Sequence, residues 1–303
     1  MGKIAFLFPG QGAQFVGMGK ETAVNFKTAQ TVFEQADAIK AGTSNLCFEG
    51  SLEELNLTIN TQPCIFTVEI ATLEALKEIG INPSGFAGFS LGEISGLVAS
   101  GSIDLSAGFE LIEKRSRAMS TATADFEAMM IAVLKLSNET VLSICQAFEM
   151  AYPVNYNCPG QLVVSLLKKD EKEFQKLVKE AGGRGMPLKV SGGFHSPFMT
   201  SAISSFEESL KSIDFKNSDF PLYGNQTALP YPDDQEEIRT TVLNQISHPV
   251  LWEKTIRQMI ADGFDHFIEV GPGKTLSGFI KKIDPSVKCD HADDLLNDFF
   301  AQN

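Results

Sequence analysis

The chain has 303 residues, 43% hydrophobic and 21% charged, an ordinary globular composition that excludes a disordered protein. A net charge of −13 with no Lys/Arg block excludes a general nucleic-acid binder, and it obliges any anionic ligand to meet a local positive group. The five cysteines are scattered without a CxxC pair, which argues against a disulfide framework or a metal site and fits a reducing cytoplasm.

In chain order, Ile4–Phe8 reads as a buried first strand, too short for a signal-peptide core, that runs into Pro9-Gly10-Gln11-Gly12. No stretch approaches membrane-span length, so a cytoplasmic protein without a membrane partner is expected. Pro63–Ile79 carries helical apolar spacing at Ile65, Val68, Ala71 and Leu76. Phe86–Phe89 reads as a short strand leading into Ser90 and a helix through Ser100, and Leu105–Met119 as a further helix.

The middle of the chain changes pattern. Met129–Leu136, Val154–Tyr156, Leu162–Leu166 and Met186–Val190 read as strands, with helices over Ser137–Met150 and Asp170–Ala181. That βαββαβ order is the split unit of a ferredoxin-like domain. Residues 124–191 are therefore expected to form a small domain inserted into a larger α/β domain made of residues 1–123 and 192–303, with the ligand cleft between them. Phe267–Val270 reads as a late strand ending at Gly271-Pro272-Gly273.

Gly88-Phe89-Ser90-Leu91-Gly92 matches G-x-S-x-G between a strand and a helix, a turn that lifts a serine hydroxyl off a sheet. A serine nucleophile needs a base, and only four histidines occur. His248, His266 and His291 read as structural or solvated. His195 lies in the glycine-rich loop after the Met186–Val190 strand and is the best base. On the Leu105–Met119 helix, Arg115 flanks the inward face of Phe109, Ile112, Ser116 and Met119, whereas Arg117 points to solvent. An inward arginine requires an anionic partner, either a buried acid or a substrate carboxylate.

Two lookalikes fail. Gly10-Gln11-Gly12 lacks the third glycine of a dinucleotide loop, and Gly271-Pro272-Gly273-Lys274-Thr275 has Ile268 where a Walker A loop needs glycine. The amides of the first loop can instead serve an oxyanion.

Together these motifs make the sequence resemble the malonyl-CoA:acyl-carrier-protein transacylases of type II fatty acid synthesis and the related acyltransferase domains of polyketide synthases. The matching segments are Phe8-Pro9-Gly10-Gln11-Gly12, Thr61-Gln62-Pro63, Gly88–Glu93, Arg115 with Met119, Val154–Gln161, Phe194-His195-Ser196, Gln245 with Pro249–Trp252, and Glu269–Gly273. The resemblance implies an α/β-hydrolase-like body with an inserted ferredoxin-like subdomain. It also implies ping-pong transfer of malonyl from malonyl-CoA to an acyl carrier protein, with no metal or bound organic cofactor and coenzyme A as substrate carrier.

By the same resemblance, Ser90 is the nucleophile, His195 its base, and the backbone carbonyl of Gln245 orients that histidine. The amides of Gln11 and Leu91 form the oxyanion hole, Arg115 holds the malonyl carboxylate, and Gln62, Phe89, Asn157 and Phe194 line the pocket. Phe89 stands where the family usually has histidine, and Ser116 where it usually has glycine. Phe194 is the residue typical of malonyl-selective members. The competing expectations are an acyl hydrolase acting on carrier-protein thioesters, against which Arg115 counts, and a silent carrier-protein binder, against which Ser90 and His195 count.

Overall fold

The computed structural model describes residues 2–190, 192–218 and 220–302, so Ser191, the last residue of the expected insert, lies outside them. Among the described residues the strands, in chain order, are β1 (Lys3–Phe8), β2 (Gly85–Gly88), β3 (Ala128–Leu134), β4 (Ala151–Cys158), β5 (Gln161–Leu167), β6 (Arg184–Pro187), β7 (Leu222–Tyr223), β8 (Phe264–Glu269) and β9 (Lys288–His291). They form two sheets.

The first sheet runs β7–β2–β1–β8–β9, every neighbouring pair parallel. Its central strands are apolar on both faces: Ala5, Phe6, Leu7 and Phe8 are all buried, as a parallel sheet covered by helices demands. Because β1 pairs with β2 and with β8, the loops leaving the carboxyl ends of these strands lie side by side. This is where open α/β sheets place ligands.

The second sheet runs β4–β5–β3–β6 and is antiparallel throughout. Side chains alternate across it. Ile131 and Val133 join Val141, Phe174 and Val178 of its two helices, while Met130 and Ala132 face the large core. Val250, just before helix Trp252–Ala261, ties to β4, its N–H donating to Val154 O (2.8 Å) and its carbonyl accepting from Tyr156 N (2.9 Å).

Helix Thr58–Glu78 is buried on nearly every side and begins five residues before the expected start at Pro63. Pro63 has no N–H to give the carbonyl of Ile59, and the Lys40 ammonium takes that carbonyl instead (2.9 Å), so the helix continues through the proline. The edge strand β6 spans Arg184–Pro187 rather than Met186–Val190. Its pairing with β3, from Leu134↔Arg184 to Ile131↔Pro187, sets its position, and most of its side chains are exposed and give no apolar signal. The helix expected over Ser137–Met150 closes at Cys145, capped at its start by the Ser137 hydroxyl. β4 is longer than the expected Val154–Tyr156 because it pairs along the length of β5. Of the histidines read as structural or solvated, His291 is buried and His266 pairs with Asp290 at 2.8 Å. All five cysteines are free.

Candidate active site

The Ser90 turn is dictated by backbone sterics. A Cβ on Gly88 would lie 2.0 Å from the Gly92 carbonyl, and one on Gly92 would lie 2.3 Å from the Phe8 carbonyl oxygen. Only glycine fits either place. Between them Ser90 takes φ 55, a left-handed conformation that a side-chain-bearing residue adopts at a cost of about 1–3 kcal/mol. His195 is also left-handed, with φ 60.

Ser90 Oγ meets His195 Nε2 at 2.7 Å. The other ring nitrogen of His195 faces two backbone carbonyls, Gln245 O at 2.9 Å and His248 O at 3.2 Å. Two acceptors at Nδ1 fix the proton there and leave the Nε2 lone pair toward the serine. Burial pushes the His195 pKa down to about 4, the nearby Arg115 charge adds to the shift, and the two carbonyls oppose it. His195 is therefore neutral at pH 7 and able to accept a proton.

Arg115 comes from helix Leu105–Ala122, whose start is capped by Asp104 accepting from Ala107 N. Its side chain is fully buried, whereas Arg117 two residues on lies exposed beside Glu113. Arg115 Nη1 donates to Gln62 Oε1 (2.7 Å), and Nη2 donates to Gln245 Oε1 (2.7 Å) and Ser90 Oγ (3.2 Å). Its partners are neutral oxygens, and Nε has none among the described residues. Burial lowers its pKa to about 10, partly offset by Glu93, so the cation persists at neutral pH with no carboxylate in contact.

Gln245 does more than the expected backbone contact. Its side chain also donates through Nε2 to the Ser90 carbonyl, so one residue touches the base, the cation and the nucleophile. Asn225 carried no signal in the sequence, and Glu93 entered only as the last residue of the matching segment Gly88–Glu93, without a role. Asn225 Oδ1 accepts from Ser90 N (2.7 Å), and Glu93 Oε1 accepts from Asn225 N and Tyr231 Oη. Burial raises the Glu93 pKa to about 7.

A cleft of about 170 Å³ opens between the two sheets. Gln11, Phe89 and Asn157 are among its walls, with Asn155, Gln161 and Phe279. Gln62 and Phe194 lie outside this cleft's walls: Gln62 is a buried partner of Arg115, and the Phe194 carbonyl accepts from Ser165. Ser90, His195 and Arg115 are likewise outside the cleft lining. Among the described residues the amides of Gln11 and Leu91 have no hydrogen-bond acceptor, and the Leu91 amide opens helix Gly92–Ala99. The Phe89 ring packs against Trp252 (5.4 Å between centroids) and Phe279 (6.3 Å). No group of three or more His, Cys, Asp or Glu side chains among the described residues could hold a metal ion. Among the described residues, no helix is long and apolar enough to cross a membrane.

Residues 5–286 match the acyl transferase domain family. The chain is 40% identical over 294 residues to the malonyl CoA-acyl carrier protein transacylase of Bacillus subtilis, covering 95% of this chain and 92% of that protein. The malonyl CoA-acyl carrier protein transacylase of Clostridium perfringens superposes with a TM-score of 0.91 at 36% identity, over 99% of this chain and 100% of that one. A malonyl-transacylase solved in complex with a type II polyketide synthase acyl-carrier protein superposes with a TM-score of 0.90 at 32% identity, over 95% of this chain and 94% of that one. A serine–histidine pair beside a buried arginine, on a fold shared along nearly its whole length, thus has a family: the chain belongs to the malonyl CoA-acyl carrier protein transacylases.

Proposed function

We propose that the protein transfers a malonyl group from malonyl-CoA to the phosphopantetheine thiol of an acyl carrier protein, by way of a malonyl ester on Ser90. The observation that carries this reading is the meeting of three groups at one oxygen: Ser90 Oγ lies 2.7 Å from the His195 base and 3.2 Å from the Arg115 cation. His195 Nε2 takes the serine proton as Oγ attacks the thioester carbonyl, and the Gln11 and Leu91 amides receive the developing oxyanion. The carbon–sulfur bond then breaks, and coenzyme A leaves with the proton from His195. The carrier thiol reverses these steps.

Arg115 reads the malonyl carboxylate. Neutral amides from Gln62 and Gln245 orient its guanidinium without neutralising it, which leaves an unpaired positive charge for an anion in a chain of net charge −13. In this reading the parallel sheet belongs to an α/β-hydrolase-like body of residues 1–123 and 192–303, and residues 124–191 are a ferredoxin-like insert. The βαββαβ order and the β4–β5–β3–β6 arrangement support the latter. Coenzyme A enters as substrate carrier, the reaction calls on no metal or organic cofactor, and the setting is the cytoplasm.

Intact-mass spectrometry after mixing with malonyl-CoA alone should show a single malonyl adduct that passes to carrier protein on its addition and is absent from Ser90→Ala. A fast quench that finds no adduct on the wild-type protein would overturn the covalent route.

A further inference from the structure

Two residues beyond the end of β2 lies Ser90, and two residues beyond the end of its parallel neighbour β7 lies Asn225. The parallel register, with Ala87 opposite Tyr223, brings Asn225 alongside the Phe89–Ser90 segment, and the Asn225 side chain spans the nucleophile turn. Its Oδ1 accepts from Ser90 N at 2.7 Å, and its Nδ2 donates to Gly88 O at 2.5 Å. One amide thus ties the residue before the turn to the residue at its apex, where φ is 55. Asn225 is itself held on both sides of its backbone: its N–H donates to Glu93 Oε1 at 3.1 Å, and its carbonyl accepts from Leu251 N at 2.8 Å. Glu93 lies in the first turn of the helix that follows Ser90, and Tyr231 Oη donates to the same carboxylate oxygen at 2.6 Å. Asn225 and Glu93 are each only 1% exposed.

A free left-handed serine would relax its peptide planes, and with them the aim of the hydroxyl and of the amide that follows. Asn225 claims the Ser90 N–H, so that N–H cannot turn toward a ligand. The Leu91 amide, next in the chain, is left with no acceptor among the described residues. We infer that Asn225, locked by Glu93 and Tyr231, is a positioning residue for the reaction. It acts through the Ser90 backbone to hold the nucleophile and the Leu91 amide in their reactive orientation, without touching the substrate. The inference rests on Ser90 being the nucleophile of the proposed transfer.

The test measures two rates, the labelling of Ser90 by a small fluorophosphonate and the formation of the malonyl ester from malonyl-CoA, alongside melting temperature. For Asn225→Ala, labelling and kcat should both fall by roughly 100-fold, the size of a lost oxyanion donor, while the KM for malonyl-CoA moves by less than about threefold. Tyr231→Phe removes only the outer hydroxyl of the lock and should lower both rates by about fivefold at nearly unchanged KM and melting temperature. A folded Asn225→Ala protein that labels within about twofold of wild type, or one whose loss lies wholly in KM, would overturn the inference. If Asn225→Ala does not fold, Tyr231→Phe decides in the same way, and a wild-type labelling rate there sinks the proposal. Failure of the functional reading is separable: wild-type protein would then label with fluorophosphonate but take no malonyl group, and the labelling rates would still judge Asn225.

Discussion

The two ends of the site are built by opposite means. At the Ser90 turn, backbone presses on backbone: Phe89 N donates to Phe8 O at 2.8 Å, and Gly88 and Gly92 stand where a Cβ would strike a main-chain atom. At the Arg115 end, the contacts run between side chains drawn from distant places. Gln62 is 53 residues away on helix Thr58–Glu78, and Gln245 is 130 residues away, just past helix Gln235–Asn244. The first arrangement is stiff chiefly because atoms cannot overlap, with the Asn225 and Gln245 amides adding side-chain ties to the Gly88 and Ser90 backbone. The second is stiff only while every amide keeps its partner. Substitutions should therefore damage the two ends differently.

The largest effect belongs to the turn. Gly92→Ala would place a methyl 2.3 Å from Phe8 O and 2.7 Å from Pro9 O, so β1 and the nucleophile helix must part. Overpacking of this kind destabilises by about 1–3 kcal/mol, and the shift falls on the atoms that align Ser90. Malonyl transfer should drop by more than about 1,000-fold, since displacement of about 1 Å at a reacting centre already costs about 100-fold. Wild-type transfer by Gly92→Ala would mean the turn has slack and would erase the contrast between the two ends.

Arg115→Ala comes next. It removes the charge that faces the proposed carboxylate and strands the Gln62 and Gln245 carbonyls. Truncating one partner of a buried charge pair costs about 2–5 kcal/mol, so malonyl transfer should fall at least ~30-fold. Acetyl transfer should fall by much less, because acetyl has no carboxylate to lose and gives up only the charge-assisted contact from Arg115 Nη2 to Ser90 Oγ. Steady-state rates with malonyl-CoA and acetyl-CoA measure the ratio. Equal losses would make Arg115 a support for the nucleophile rather than a reader of the acyl group.

The same contrast explains what the sequence exposed. The turn was legible because its constraint is local: three fixed positions, glycine–serine–glycine, between an apolar strand and a helix. Arg115 was legible by angle, since helical geometry alone separates it from Arg117. The two sheets were legible in outline, because short apolar runs mark strands in both and the βαββαβ order sets the second apart. Asn225 was not, because β7 has only two residues and offers no periodicity, and its partners Gly88 and Ser90 are 137 and 135 residues away. The Gln245 side chain was hidden for a similar reason. Nothing next to it in sequence says that its amide lies between a cation and a serine carbonyl. Pro63 misled in the other direction, because a helix normally cannot pass a proline, and the ammonium that satisfies the vacated Ile59 carbonyl sits 19 residues upstream of it.

The smallest effect concerns pH and sets the base against the carboxyl behind the turn. His195 has its pKa pushed down from an ordinary 6.5 to about 4, and Glu93 has its own pushed up from 4.5 to about 7, burial being the leading cause of both. The linkage runs in opposite directions. Below pH 6.5 unfolded chains protonate His195 while the folded protein does not, so the His195 contribution to stability is full above that pH and is lost as pH falls toward 4. Glu93 is the reverse: above pH 4.5 unfolded chains release its proton while the folded protein keeps it, so its contribution is lost as pH rises toward 7. Between about pH 5 and 6.5 each is worth about 1.5 kcal/mol, with opposite sign. Glu93→Gln should therefore become more stable relative to wild type as pH rises through this window, and His195→Gln less stable. Urea unfolding of the three proteins at the two ends of the window reads these differences directly, and the remaining titrating groups, Glu69 among them, cancel because all three share them. Parallel pH dependences in all three would mean that neither group is desolvated as its surroundings require. The catalytic consequence follows from the same pKa values. Transfer should hold down to about pH 5 and fail only as His195 protonates near 4, so an acid limb centred at 6.5 would show a base open to solvent.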